Sequence, residues 1–336
     1  MSLTVCKFGG TSLADGNNIR RAADILLADP ARKYAVVSAP GKRYSEDVKV
    51  TDLLYACYRE SVEKGDCREA FSKIRKRFRS IVDELGLSLD IDRILDETEH
   101  EIERRKSADF TASRGEYLNA RIMAALLHWD FIDAADIVYF DEKGSFDEKK
   151  SYPLIREKLA AVKHAVIPGF YGTDADGKIK TFSRGGSDIS GSIVARAVDA
   201  DLYENWTDVS GFLACDPRIV KSPEKIEVIS FKELRELSYM GANVLHAEAI
   251  FPVRKGDIPI KIKNTFRPQD PGTLILPSKK YVKSGNIVTG IAGKKDFTVI
   301  FLEKSMMNAE VGFARKVLSI LEKDNINFEH MPSGID

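Results

Sequence analysis

Val5-Cys6-Lys7-Phe8-Gly9-Gly10-Thr11-Ser12, near the start of this 336-residue chain, is the stretch on which the fold turns. Residues 5–8 predict a short buried strand, and residues 17–28 an amphipathic helix with apolar Ile19, Ala22, Ala23, Leu26 and Leu27. Glycines at such a junction let backbone N–H groups approach an anion that a Cβ would hold off. Lys7 adds a mobile positive charge beside that nest. A second string of the same kind, Arg184-Gly185-Gly186-Ser187-Asp188, stands at another strand-to-helix junction in mid-chain. Either pair alone reads as a turn. Two of them, each with charge and hydroxyl, point to one phosphate-handling cleft assembled from distant segments.

Working outward, strand-like runs alternate with helical ones. Residues 34–38, 135–140, 165–168 and 202–206 predict strands, residues 51–63 and 187–198 helices, and residues 258–263 a closing strand. The alternation predicts an α/β fold, a mainly parallel sheet with helices on both faces. Ligands in such folds lie beyond the carboxyl ends of the strands, where Gly9-Gly10, Ser38 and Thr207-Asp208 fall. Residues 68–106 change character. They are highly charged and helical, with Gly86 as a break, and the basic cluster Arg75-Lys76-Arg77-Arg79 is followed by acids and lacks a stacking set of aromatics. That segment reads as a solvated helical excursion rather than a nucleic-acid surface.

Lys+Arg and Asp+Glu both number 51, so no overall field favours nucleic acid or an anionic membrane, and phosphate recognition must be local. Cys6, Cys57, Cys67 and Cys215 show no paired spacing and read as thiols of a reducing compartment, with no zinc or disulfide frame. No apolar run reaches the roughly 18 residues of a membrane span, and the chain enters a strand at once, leaving no room for a signal peptide. The expectation is a cytoplasmic protein.

Several further positions offer chemistry. Arg184 presents a planar fork suited to carboxylate or phosphate. Glu116, in Ser113-Arg114-Gly115-Glu116 at the expected start of a helix, either complements its helix dipole or meets an ammonium. Ser38 and Thr51 offer hydroxyls, and Asp188 sits at the mouth of the second nest. A converging Arg and Glu would match the two ends of a zwitterion. His246 reads as structural.

These residues resemble a known family. Lys7-Phe8-Gly9-Gly10-Thr11-Ser12 is similar to the opening of aspartokinases, within the amino acid kinase superfamily. So are Arg184-Gly185-Gly186-Ser187-Asp188, Trp206-Thr207-Asp208-Val209-Ser210-Gly211, Asp216-Pro217-Arg218 and Met240-Gly241-Ala242-Asn243-Val244-Leu245-His246, in the family's order. The resemblance implies an open three-layer α/β sandwich around an eight-stranded, mainly parallel sheet. It also implies ATP-dependent phosphorylation of L-aspartate on its β-carboxylate, a first step toward lysine, threonine and methionine, with Mg²⁺ carried on ATP.

By the same resemblance Lys7 and Asp188 are the catalytic pair, and Gly9, Gly10 and Thr11 line the phosphate nest. Ser38, Thr51, Glu116, Arg184, Gly185, Gly186 and Ser187 would contact aspartate. Thr207, Asp208, Leu213, Arg218, Asn243 and Val244 would surround the nucleotide. Leu213 stands where many relatives place a tyrosine, and Asn243 where many have a lysine, which implies weaker charge compensation on the nucleotide side. The chemistry fits independently: a side-chain carboxylate with a pKa near ~3.9 is already ionised, so transfer needs charge neutralisation and positioning rather than a general base.

The tail extends the resemblance. Residues 277–286 read as a linker, and residues 297–302, 312–323 and 326–331 as the strand, helix and strand of half an ACT module, with residues 307–313 as its effector loop. The expected division is a catalytic domain at 1–280 and a linker plus truncated regulatory part at 281–336. Such a half-module implies a homodimer through the tails, with lysine or threonine as effector of the full-length protein. Two rivals remain at this point: a sister kinase acting on acetylglutamate, glutamate or a nucleoside monophosphate, and a silent amino-acid sensor on the same fold.

Overall fold

The computed structural model describes residues 2–183, 186–239, 245, 249–277, 279–281, 287–293, 295–296, 298–328 and 330–332, less the side chains of Tyr239 and Asn308. It divides into two units, Met1–Gly293 and Lys294–Asp336.

In the first unit the strands are β1 Thr4–Phe8, β2 Arg32–Val37, β3 Asp130–Phe131, β4 Ala165–Pro168, β5 Tyr171–Thr173, β6 Ile179–Thr181, β7 Leu202–Thr207, β8 Phe212–Leu213, β9 Lys225–Ile226, β10 Val228–Ser230, β11 Ile260–Asn264 and β12 Thr273–Leu276. The helices are α1 Gly16–Leu27, α2 Val50–Lys64, α3 Arg68–Leu85, α4 Ile91–Arg105, α5 Ala108–Leu127, α6 Glu148–Ala160, α7 Gly186–Ala197, α8 Phe231–Tyr239 and α9 Phe251–Lys255. Eight strands form one sheet in the order β10-β12-β11-β7-β1-β2-β4-β3. All its pairings are parallel except β11 with β12. β5–β6 and β8–β9 form separate two-stranded antiparallel pairs.

The central strands are apolar on both faces, as a doubly covered parallel sheet requires. Cys6, Phe8, Ala35 and Val37 join one core with the buried residues of α1 to α5. Val5, Tyr34 and Val36 alternate into a second core with α6 to α9. The expected layered architecture is therefore present. β1 lies between β2, which follows it in sequence, and β7, which arrives much later, so the crevice beyond its carboxyl end is a switch point of the sheet. Local signals set the helix ends. The Asp15 side chain accepts from Asn18 N at 2.8 Å to start α1, and Gly86, at φ +67°, closes α3 in the left-handed region.

Four readings of the sequence need correction. Residues 135–140 are not a strand: Asp133 caps a single 3₁₀ turn at Ala134–Asp136, and only isolated bridges at Tyr139 and Phe140 follow. The segment 68–106 is not solvated throughout. α3 buries Phe71, Ile74, Phe78, Ile81 and Leu85 in the first core, and Arg77 with them. The strand at 258–263 does not close the series, because β12 returns antiparallel beside it. In the second unit, residues 298–302 and 326–328 carry no strand, since neither run finds a partner among the described residues and a lone strand leaves its backbone unpaired. The helix there, α10 Phe313–Lys323, does form, and none of its residues is buried.

Candidate active site

The first glycine string follows the carboxyl end of β1, and the described part of the second, Gly186 to Asp188, opens α7. Lys7, one residue short of the end of β1, is buried, and its Nζ lies 2.6 Å from Oδ1 of Asp188 in the first turn of α7. Register explains the meeting. Lys7 pairs with Asn205 across the β1–β7 ladder, and Asn205 Nδ2 donates to the same Asp188 oxygen at 2.9 Å. Tyr203, two residues earlier on β7, donates its hydroxyl to the Asp188 backbone oxygen at 3.2 Å. α7 can come this close because Gly191 faces the sheet. A Cβ there would stand 2.6 Å from the Tyr203 hydroxyl and 3.0 Å from Lys7 Cβ.

The first nest is shaped by close approach and not by unusual backbone angles. Gly10 is right-handed, at φ −60° and ψ −38°, and opens the 3₁₀ turn Thr11–Leu13. Its backbone packs on the loop after β2. A Cβ on Gly10 would lie 2.9 Å from the Ala39 oxygen, and one on Gly41 would lie 2.6 Å from the Gly10 carbonyl carbon. Gly41 N donates to Gly10 O at 2.8 Å. A Cβ on Gly9 would stand 3.6 Å from Lys7 Nζ, in the space beside the ammonium. Gly186 begins α7 at φ +46°, a left-handed value that favours glycine, and Ser187 behind it is buried against Gly169.

Glu116 is not at a helix start. It lies in the third turn of α5, which removes the dipole explanation, and is only 5% exposed. Burial pushes its carboxyl up to about 8, against the pull of the Ala39 N–H and of the Arg114 and Lys7 charges. Its Oε2 has no hydrogen-bond partner, and neither has Oδ1 of Asn119, one turn further along α5. Asn119 Nδ2 meanwhile donates to the Ser38 backbone oxygen at 2.7 Å. Two buried acceptors thus face no donor beside the Ser38–Ala39 loop, an arrangement that costs stability and calls for a ligand rich in N–H groups. Ser38 and Thr51, in the first turn of α2, are half-buried.

Elsewhere the expected residues are scattered. Thr207 ends β7, with its hydroxyl 3.2 Å from Asp208 Oδ1, and Asn264 Nδ2 donates to the Asp208 backbone oxygen. Leu213 is 37% exposed on β8. Arg218 is exposed and forks onto Asp216, in its own loop. Arg184, Gly185, Asn243, Val244 and His246 lie outside the described residues. Reading the sequence missed Asn205, Tyr203, Asn119, Gly41 and Gly191. A polar residue inside the buried run 202–206 was the available signal for Asn205, and the helical spacing from Glu116 was the signal for Asn119.

Residues 2–264 match the model of the Amino acid kinase family. Aspartokinase 3 of Bacillus subtilis (strain 168) is 39% identical over 99% of this chain and 76% of its own length. The crystal structure of Clostridium acetobutylicum aspartate kinase matches with a TM-score of 0.93 and 54% identity, over 100% of this chain and 76% of that one. E. coli aspartokinase III in complex with aspartate and ADP matches with a TM-score of 0.78 and 25% identity, over 99% and 77%. The same enzyme with lysine and aspartate matches with a TM-score of 0.73.

Proposed function

The chain belongs to the amino acid kinase family, among its aspartokinases, and from that premise we infer how its cleft transfers the γ-phosphate of ATP to the β-carboxylate of L-aspartate, giving 4-phospho-L-aspartate and ADP. The observation that carries this reading is the pairing of a buried lysine beside a glycine cradle with two buried, unpartnered acceptors, Glu116 Oε2 and Asn119 Oδ1. One end suits phosphate and the other an ammonium.

In this reading the aspartate ammonium supplies N–H donors to Glu116 Oε2 and Asn119 Oδ1. Its positive charge favours the ionised form of Glu116. Ser38, Thr51, Arg184, Gly185, Gly186 and Ser187 complete the substrate side. The β-carboxylate is already an anion, so no residue need remove a proton. Lys7 offsets the charge gathered between acceptor and γ-phosphate, and Gly9, Gly10 and Thr11 admit the phosphate closely. Asp188, held by Asn205 and Tyr203, fixes the direction of the Lys7 ammonium. Thr207, Asp208, Leu213, Arg218, Asn243 and Val244 form the nucleotide side.

Mg²⁺ belongs to the same proposal. Oδ1 of Asp188 is taken by Lys7 and Asn205, while its Oδ2 accepts no hydrogen bond among the described residues. A free carboxylate oxygen suits a hard cation, so Asp188 would hold it. Bound there, the ion would offset phosphate charge.

The division at 1–280 and 281–336, a cytoplasmic setting, a homodimer and, for the full-length protein only, lysine or threonine as effector complete the proposal. Among the described residues, no helix is long and apolar enough to cross a membrane. The E. coli relative was solved with lysine. The test of function is incubation with ATP, Mg²⁺, aspartate and hydroxylamine. Aspartyl hydroxamate should form with aspartate, and neither a hydroxamate nor ADP should accumulate when acetylglutamate, glutamate or UMP replaces it. ADP release without any hydroxamate would refute the acceptor.

A further inference from the structure

Arg77 stands out among the charged groups outside the cleft. It comes from α3 and is only 5% exposed, and its guanidinium reaches two separate segments, the turn ending at Ala14 and the loop from Ala39 to Lys49. Nη1 donates to the backbone oxygens of Ala14 at 3.1 Å and Gly41 at 3.2 Å. Nη2 donates to Asp47 Oδ2 at 2.5 Å and to the Val48 oxygen at 3.3 Å. Ala14 ends the turn that follows the glycine nest, Gly41 packs its backbone on Gly10 and Thr11, and Val48 leads into α2, which carries Thr51.

Asp47 is the matching anchor. Buried at 8% exposure, it accepts from Arg43 N at 3.0 Å, Arg43 Nε at 2.9 Å and Arg43 Nη2 at 3.0 Å, besides Arg77. The loop from Ala39 to Lys49 has little apolar filling of its own, because its residues 42–46 are exposed. Its conformation therefore rests on this hydrogen-bonded centre. α3 makes a second tie one helical stretch later, where Glu84 Oε2 accepts from Gly16 N at 2.8 Å.

We propose that Arg77, with Asp47, is a positioning residue of the kinase reaction, a strut that sets the spacing between the glycine nest at Gly10 and the loop that leads into α2 and Thr51. The charged helical excursion thus works on the active site from behind without touching substrate. A planar fork with fixed donor directions is required, because four oxygens on two segments must be met together. Lysine carries the charge but cannot span them. Near-attack geometry is sensitive to shifts of about 1 Å, so the strut acts on turnover more than on binding.

This proposal rests on the kinase reading for its kinetic arm only. Arg77→Lys and Asp47→Asn would be compared with the unaltered chain by hydrogen–deuterium exchange and by hydroxamate assay well below their melting temperatures. Both variants should raise exchange selectively in residues 10–16 and 39–49, with residues 68–76 of α3 unchanged. Both should lower kcat about tenfold or more while KM for ATP stays within about threefold. Uniformly faster exchange across α2, α3 and α5, or a normal kcat in a variant with a lowered melting temperature, would make the pair a stability element and overturn the proposal. If the unaltered chain makes no hydroxamate, the kinase reading fails, and the exchange pattern still decides whether the strut sets the loop.

Discussion

Nζ of Lys7 lies 2.6 Å from Oδ1 of Asp188, joining the central strand of the sheet to the first turn of a helix that begins far along the chain. The contact follows from three local facts: the Lys7–Asn205 register, the absence of a Cβ at Gly191, and the Tyr203 hydroxyl on the Asp188 backbone. The ammonium is therefore held before any ligand arrives, and preorganisation of this kind makes a cation effective where charge accumulates.

Lys7→Ala should lower kcat by roughly 10²–10³, as for removal of a preorganised donor, with KM for aspartate little changed. Steady-state kinetics with the hydroxamate assay would measure both. A near-normal kcat would make Lys7 a structural residue of the β1–α7 contact.

Glu116 predicts a pH signature. Its carboxyl is raised to about 8, so the folded protein keeps a proton that the unfolded chain has lost once pH passes the ordinary carboxylate range. The stabilising contribution is full below that range and declines as pH rises toward about 8. An ammonium pairs with the ionised form, so KM for aspartate should fall as pH rises between about 6 and 7.5. Glu116→Gln should raise KM, remove this pH dependence and flatten the melting temperature over the same window. A variant that keeps the wild-type pH profile would show that another group is titrating.

Much of this was legible in the sequence, and the reasons differ by residue. The order of apolar runs gave the parallel sheet because buried strands must be apolar on both faces. The glycine strings gave the nest because glycine permits close approach. Asn205 and Tyr203 were hidden, because their roles depend on register with β1, which a linear pattern does not carry. Arg77 was misread for a related reason: in sequence it is one cation of a basic cluster, whereas in the fold Arg75 turns to Asp96 and Glu99 and Arg79 to Asp92, leaving Arg77 facing inward. Runs 298–302 and 326–328 had strand composition without a strand to pair with.

The Gly10–Gly41 approach yields a third expectation. A methyl at 41 would meet the Gly10 carbonyl carbon at 2.6 Å and Thr11 N at 2.7 Å, both backbone atoms that cannot turn aside. Gly41→Ala should destabilise by about 1–3 kcal/mol, the usual range for overpacking. It should also lower kcat, because the displaced atoms are those of the nest. Calorimetry and kinetics on the same preparation would check this, and an unchanged melting temperature would mean that the loop yields freely.

The last expectation concerns the second unit. α10 has no buried residue, and Ile320 is 63% exposed, with Val299, Phe301 and Val311 more exposed still. Apolar surface of this extent is unfavourable in water at ~25 cal/mol per Å². A second copy is the simplest cover, and a two-fold arrangement would satisfy both faces with one interface. The expected state is a dimer at micromolar concentration, and Val317→Asp with Ile320→Asp should yield monomers that keep kinase activity, since neither residue lies near Lys7 or Glu116 in the sequence or shares their unit. Activity should respond little to lysine or threonine, because an effector pocket of ACT type needs paired strands and residues 298–302 and 326–328 form none. Light scattering and inhibition assays decide the matter: a monomer in the unaltered chain, or strong inhibition by either amino acid, would refute this account of the tail.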